Sequence, residues 1–312
     1  MRLIAAMLAA VALGAHAQDW PTKPVRWLVP FAPGGPADVV ARIVAAGLQE
    51  RIGQPNVVEN QAGAGGNIAH AAAGKAAPDG HTVVFVVPSV ITNPFYMKAA
   101  IDPFRELAPV IHLDSASMVL VANPGFPPRT LAEVMARIKA NPGQVTCGAS
   151  GALPSVGCEL LRSNAGADLL MVMYKGNAPA LQAVMGGEIN LLFDVVNIAA
   201  GNVKAGRVRA IATTAPRRGN PLPDVPTMSE TIPGFELVTW HGVMTSPSTP
   251  RALVERLNRE LNAVLQQPEV RSRMEASGLH ITGGTPEAFG EILKRDYDKY
   301  GAALRSAGVK PE

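Results

Sequence analysis

The stretch Val25-Arg26-Trp27-Leu28-Val29-Pro30-Phe31-Ala32-Pro33-Gly34-Gly35-Pro36-Ala37-Asp38 sets the architecture of this chain. It reads as a short buried strand over Val25–Val29, a turn rich in proline and glycine, and an amphipathic helix from Asp38 to about Arg51. At such a junction two glycines let the backbone turn sharply and leave its N–H groups unshielded by side chains. The helix adds its unpaired N-terminal donors and the positive end of its dipole. The ligand that suits this arrangement is a small anion, most simply a carboxylate. The same turn can also serve as a plain connector, so the rest of the chain has to decide.

Strand and helix patterns alternate outward from this point. Val57-Val58 is a short strand, followed by Gln61-Ala62-Gly63-Ala64-Gly65-Gly66 and a small-residue helix from Asn67 to Lys75. Thr82–Val87 reads as a buried strand, with further strands near Val110 and over Met118–Ala122. Thr130-Leu131-Ala132-Glu133 is a capping box opening a helix that Asn141-Pro142-Gly143 stops. Beyond it come a strand at Val145–Gly148, a helix at Ser155–Ala165 and a strand at Leu169–Met173. A helix after Asn177 and a strand at Ile189–Phe193, ending in Asp194, complete that run. Arg209–Thr213 and Leu237–Met244 are extended, and two helices close the chain. Thr249-Pro250 and Thr285-Pro286 start those helices with an N-cap threonine and proline at N1. Such alternation implies an α/β fold with mainly parallel sheets flanked by helices on both faces. Ligands of such sheets bind beyond the carboxyl ends of strands, which points to the loops after Val29, Val87, Gly148, Met173 and Phe193.

Bulk properties narrow the class. Arg2, the apolar run Leu3–Leu13 and Ala15-His16-Ala17 match a secretory signal peptide cut after Ala17. The run is shorter than the roughly 20 residues that span a bilayer. The mature chain of nearly 300 residues suggests two domains. A formal net charge of +3 with no basic stripe excludes a nucleic-acid binder. Cys147 and Cys158 are the only cysteines. An oxidising compartment favours their bridging, and a strand end beside an early helical turn allows it; two reduced buried thiols are the alternative.

Catalytic constellations are missing from the pattern. His70, His81, His112, His241 and His280 are scattered without zinc-ligand spacing. Gly148-Ala149-Ser150-Gly151 is one residue too short for a nucleophile elbow. Gly63-Ala64-Gly65-Gly66 fits neither a phosphate loop nor a dinucleotide fingerprint. Asp38 and Asp194 both stand at strand–helix junctions, where capping of backbone donors competes with acid–base chemistry. The chain reads as a non-enzyme, with no cofactor or metal.

Several blocks together resemble one family, the Bug-type (TctC-like) extracytoplasmic substrate-binding proteins of tripartite tricarboxylate transporters. They are Pro21-Thr22-Lys23-Pro24-Val25-Arg26, Pro30-Phe31-Ala32-Pro33-Gly34-Gly35, Glu59-Asn60 with Gly63-Ala64-Gly65-Gly66, and Tyr174-Lys175-Gly176-Asn177-Ala178-Pro179-Ala180. Gly186-Gly187-Glu188-Ile189, Leu222-Pro223-Asp224-Val225-Pro226-Thr227 and Gly283-Gly284-Thr285-Pro286-Glu287 follow in order. The resemblance implies a two-domain periplasmic-binding-protein (flytrap) architecture. Domain 1 would comprise 18–118 and 242–312, and domain 2 would be 119–241, with crossing strands at both junctions. It implies a small carboxylate held in the interdomain cleft by Phe31, Gly34, Gly35, Asp38 and Ser89 from one side. Ser150, Gly151, Lys175, Gly176 and Asp194 would close on it from the other. It also implies a monomer in the periplasm that hands its ligand to integral-membrane permease subunits.

One departure from the family pattern bears on ligand choice. Relatives commonly carry a His-Leu pair opening the helix before Glu159-Leu160, and here that His position holds Ser155, behind Leu153-Pro154. Ser155 reads equally as a ligand contact and as a simple N-cap. Pocket size turns on Val90, Leu153 and Trp240, the last of which also reads as core at the crossover. Two alternative functions share the exported context. One is a sensor that reports occupancy to a signalling system; the other is an exported serine hydrolase built on Ser150 or Ser155.

Overall fold

The chain folds, in order, as β1 (Val25–Val29), α1 (Pro36–Ile52), β2 (Asn56–Asn60), α2 (Asn67–Gly74), β3 (Thr82–Val86), α3 (Ser89–Thr92) and β4 (Ala108–Ala122). Next come α4 (Leu131–Ala140), β5 (Thr146–Ala149), α5 (Ala152–Ala165), β6 (Leu170–Met173), α6 (Asn177–Gly186), β7 (Leu191–Val195), α7 (Val196–Lys204) and β8 (Arg209–Thr213). It finishes with β9 (Val238–Thr245), α8 (Arg251–Val264), α9 (Pro268–Ala276), β10 (His280–Ile281) and α10 (Pro286–Ser306). This computed structural model describes residues 20–149, 152–174, 177–215, 217–219, 221–306 and 308–311. The expected signal peptide, 1–17, lies outside the described residues, as do Ser150, Gly151, Lys175 and Gly176. No helix among the described residues is long and apolar enough to cross a membrane.

Strand order is β2-β1-β3-β9-β4-β7-β5-β6, with β8 and β10 also paired to β4. Parallel ladders join β1 to β2 and β3 at one end of this sheet, and β5 to β6 and β7 at the other. The connection between them is antiparallel and runs through β4 and β9. Register shows where the strand ends point. Val86, the last residue of β3, lies opposite Gly242, and Gly242 lies opposite His112 of β4. From the other side, Val195 at the end of β7 lies opposite Met118, while β5 runs parallel to β7 with Cys147 beside Leu191. The carboxyl ends of both parallel groups therefore converge on the stretch 112–118 of β4. A sheet whose loops after parallel strands meet in one place has its ligand crevice there.

Packing fixes this geometry. β3 is buried throughout, and Trp27, Leu28 and Val29 of β1 are 0–1 % exposed, because helices cover both faces of the sheet. Each such side chain contributes on the order of 1.5–3 kcal/mol on burial. β4 corrects the expectation of two separate strands. His112, Asp114, Ser115 and Ser117 interrupt its apolar run, yet all lie on the ladder to β9, which absorbs two bulges between Pro109 and Asp114. A long strand that passes from one group of strands to the other meets two environments, so no single hydrophobic period describes it.

Several helix starts also differ from expectation. Pro250 occupies the N-cap position and α8 begins at Arg251. The Thr249 N–H closes a turn onto Ser246, and its hydroxyl meets that of Thr245. Thr130 caps α4 by accepting from the Glu133 N–H at 3.2 Å, but the Glu133 carboxylate takes the Arg129 N–H and leaves the capping box half formed. Thr285 does cap α10, accepting from the Ala288 N–H with Pro286 at the first helical position. Trp240 is core: its indole N–H donates to Asp296 at 2.9 Å and its ring meets Phe289 edge-on. Cys147 and Cys158 form a disulfide across 6.0 Å between α-carbons, tying β5 to α5.

Candidate ligand-binding site

The turn after β1 is braced from inside by Asp38. Its Oδ2 accepts from the Gly34 N–H and from Arg42 Nε, both at 2.9 Å, and its Oδ1 accepts from Asn60 Nδ2 at 2.8 Å. Asn60 Nδ2 also donates to the Phe31 carbonyl at 2.9 Å. Arg42 foremost, with the Gly34 N–H and Asn60, holds the Asp38 carboxyl down at about 2 despite burial. At 3 % exposure with both oxygens engaged, Asp38 stands behind the turn and shapes it. Asp38, expected among the ligand contacts, gives both of its oxygens to the turn in this structure.

The two glycines have different reasons to be there. Gly34 has φ +81°, a left-handed conformation that L side chains rarely adopt. Gly35 has φ −75° and ψ 166°, which any residue can take, and an added Cβ would meet only the Ala32 carbonyl oxygen at 3.5 Å. The fold makes no demand for glycine at Gly35, so what its missing side chain provides is open backbone at the helix start. With Pro36 in the first turn, the N–H groups of Ala37 and Asp38 have no carbonyl four residues back within the helix. Phe31 lies half-buried against the core formed by β1 and α1. Behind this turn, Gly66 leaves room for Pro30: a Cβ there would sit 2.9 Å from the proline. The Gly63–Gly66 loop is thus a packing element, with Asn93 Nδ2 bound to the Gly65 carbonyl.

Ser89 opens α3 just past β3, and its hydroxyl is buried with no partner among the described residues. On the opposite side, Asp194 lies near the end of β7 at 1 % exposure. Its Oδ1 accepts from the Val195 N–H at 2.7 Å and from Asn177 Nδ2 at 3.0 Å, which joins the starts of α6 and α7. Its Oδ2 is buried without a partner among the described residues, and burial pushes the carboxyl up to about 6. Val195 packs against the same hydrophobic cluster as Phe31 and Val87, so strand ends from both sides rest on one core.

Ser155 does not cap a helix. α5 begins three residues earlier, at Ala152, with Pro154 accommodated in the first turn, where its missing N–H costs nothing. Ser155 is 2 % exposed one turn inside, with its hydroxyl 3.9 Å from Met173 Sδ. It lines a cavity of about 520 Å³ shared with Tyr96 and Arg162.

Sequence reasoning missed several polar contacts around these strand ends. Asn60 links Phe31 to Asp38, although its only sequence signal was its place beside Glu59. Thr213, ending β8 opposite Val119, has a buried hydroxyl without a partner among the described residues. His241 Nδ1 and Asp114 Oδ1 meet at 2.8 Å on adjacent crossing strands, with His112 and Ser115 3.2 Å apart nearby. Residues so far apart in sequence as His241 and Asp114 are paired only by the register of β4 and β9.

Four helices of nine or more residues, α1, α5, α6 and α7, follow strands that point at the middle of β4. The start of a helix carries partial positive charge and N–H groups that have no carbonyl partner within the helix. Hydroxyl and amide groups surround them, and Arg42, the arginine nearest the first turn of α1, is already paired with Asp38. Such a site can hold carboxylates by directional neutral donors, and its Asp194 oxygen can accept a hydrogen bond from a ligand or water.

Comparison with known proteins agrees with this chemistry. Residues 40–308 match the model of the family described as the tripartite tricarboxylate transporter family receptor. A protein from the tcbD-tcbE intergenic region of a Pseudomonas species is 34% identical over 286 residues, covering 90% of this chain and 85% of its own. BugT of Bordetella pertussis is 32% identical over 311 residues, covering 97% and 94%. Among solved structures, an R. palustris protein with adipate is 29% identical with a TM-score of 0.80, covering 94% of this chain and 100% of its own. MatC from Rhodopseudomonas palustris with bound malate is 30% identical with a TM-score of 0.76, covering 91% and 100%.

Proposed function

Since the chain belongs to the tripartite tricarboxylate transporter receptor family, we propose that it captures a small dicarboxylate between its two groups of strands and delivers it to a membrane permease. The observation that carries this reading is the convergence of four helix starts on the stretch 112–118 of the crossing strand β4. One carboxylate lies against Gly35 and the first turn of α1; the other is met by the starts of α5, α6 and α7. Adipate and malate, bound by two structural relatives, are the first candidates.

The two groups of strands act as domains, 18–118 with 242–312 and 119–241, that close on the ligand by bending at β4 and β9. Phe31, Gly34, Gly35 and Ser89 line one wall. Ser150, Gly151, Lys175, Gly176 and Asp194 line the other, and Asp38 positions the first wall from behind. The protein works in the periplasm after removal of 1–17, and its ligand leaves chemically unchanged. Isothermal titration of the purified mature chain with adipate, malate, succinate and citrate tests this, with ester hydrolysis monitored in parallel. One-to-one binding of a dicarboxylate supports it. Failure of all four to bind, or turnover of an ester, sinks it.

A further inference from the structure

The end of the second group of strands that lies away from the ligand cleft carries exposed cations without acidic partners. Register defines that end: Ala122 of β4 lies opposite Leu191 of β7 and Arg209 of β8, while the cleft-side ends of β7 and β8 lie opposite Met118 and Val119. Arg129 in the loop after β4, Arg137 and Lys139 on α4, Lys204 at the end of α7 and Arg207 just beyond are all exposed there. Among the described residues, the ion pairs of this group of strands are Arg162 with Glu159 and Asp168, and Arg218 with Glu230; none includes any of the five. Surface arginines elsewhere are commonly neutralised in place, as Arg26 is by Glu59, Arg51 by Glu260 and Arg271 by Glu275.

The cations are presented on a firm base. Arg209 donates to the carbonyls of Pro124, Phe126 and Pro128 and so holds the loop that carries Arg129. Three acids stand at the same end: Glu133, whose carboxylate accepts the Arg129 N–H, Glu188 in the turn before β7, and Asp168, 3.5 Å from Arg162. They leave an excess of positive charge, which attracts an anionic partner.

Shape selects among anionic partners. The cations come from two stretches far apart in sequence, 129–139 and 204–207, which the pairing of β4 with β8 brings to one end. One extended acidic chain would follow a single stretch, whereas a broad anionic surface meets both together. Arg137 also borders a recess of about 330 Å³ with Gln144 and Asn190, and no carboxylate lines it. A guanidinium beside side-chain amides suits the oxygens of a phosphate. Leu170, 52 % exposed and opposite Thr146 at the start of β5, adds an apolar side chain at the same end.

We propose that this end of the molecule docks reversibly on an anionic phospholipid membrane, with the five cations over the headgroup phosphates. Each Lys or Arg near an anionic surface strengthens binding about fivefold, so the hold is weak enough to release. The docking surface lies at the opposite end from the cleft, leaves ligand entry free, and does not depend on dicarboxylate capture.

The test is sedimentation of the mature protein with vesicles of phosphatidylglycerol and phosphatidylcholine in equal parts, and with phosphatidylcholine alone. Two double variants are compared with wild type: Arg137→Gln with Lys139→Gln, and Lys204→Gln with Arg207→Gln. Lys75→Gln with Lys98→Gln, exposed lysines of the first group of strands, removes the same charge elsewhere. Circular dichroism checks the fold, and adipate titration reads the cleft separately. Binding to the anionic vesicles should fall about tenfold or more in each of the first two variants, stay within about twofold in the third, and weaken as salt is added. The proposal is overturned if wild type ignores the anionic vesicles at low ionic strength, if both double variants bind as wild type does, or if the Lys75 and Lys98 variant loses as much. Capture of polyglutamate in place of the vesicles, lost in the same two variants, would also overturn it and assign the end to an acidic protein.

Discussion

Replacing Asp38 by asparagine tests whether the ligand-side turn is held by a buried anion. The carboxylate accepts from Arg42 Nε, the Gly34 N–H and Asn60 Nδ2, at 2.8–2.9 Å, and its pKa falls from 3.8 to about 2. At about 1.36 kcal/mol per pKa unit, that depression corresponds to about 2–3 kcal/mol of stability. Because the folded-state pKa is the lower one, this contribution is fully present above the ordinary pKa of 3.8. It is lost as pH falls towards 2. The asparagine side chain would keep one acceptor but turn an NH₂ group towards either Arg42 or Asn60, where only donors wait. In urea unfolding, Asp38→Asn should be about 2–3 kcal/mol less stable than wild type at neutral pH, with the gap closing in acid. Ligand affinity should drop as well, since Gly34 loses its anchor. A gap that is the same at neutral and strongly acid pH, or one below about 1 kcal/mol, would refute the assignment of Asp38 as the turn's internal brace.

Gly35→Val should abolish dicarboxylate binding while leaving the circular dichroism spectrum unchanged, because the backbone there is already extended and an added Cβ meets little. Retained affinity in a folded variant would move the ligand elsewhere. Asp194→Asn should raise stability at neutral pH by about 2–3 kcal/mol, because burial lifts the carboxyl to about 6 and the charged form is the costly one. That gain should vanish below the ordinary value of 3.8, where Asp194 is protonated in both states; chemical denaturation across this pH range checks the sign. Replacing both Cys147 and Cys158 by alanine should lower stability by about 3 kcal/mol, as expected for opening a loop with a sequence separation of 11. The wild-type protein treated with reductant should match the double variant in thermal unfolding, and if it does not, cavity formation in the core accounts for the difference.

The alternation of strands and helices was legible in the sequence because most elements sit in one environment. In β3, for example, Val83, Val84, Phe85 and Val86 are all buried and read directly as a covered strand. β4 was not legible as one strand, because its polar residues 112–117 face partners supplied by β9 and β10, more than a hundred residues away. The start of α5 was misplaced for a local reason. Pro154 looks like a helix breaker in a linear reading, yet in the first turn its missing N–H is no loss. The turn at Gly34-Gly35 could be read as a place for an anion from composition alone. Which anion occupies which donor could not: that Asp38 takes the Gly34 N–H and leaves Gly35 open depends on Asn60, delivered by the β1–β2 register.

That arrangement bears on how a binding protein can hold a charged ligand and still release it. A buried ion pair is costly to desolvate, and breaking it leaves an unpaired charge. In the first wall here, the charges of Asp38 and Arg42 are paired with each other behind the turn. What the turn offers at its surface is the backbone around Gly35 and the first turn of α1, groups that are neutral and already oriented by that pair. Such donors gain hydrogen bonds on ligand entry and can return to water on release without stranding a charge. The electrostatic cost of shaping this turn is thus met within the turn itself. In the proposed binding mode, ligand affinity then depends on how many helix starts the two groups of strands present to the ligand.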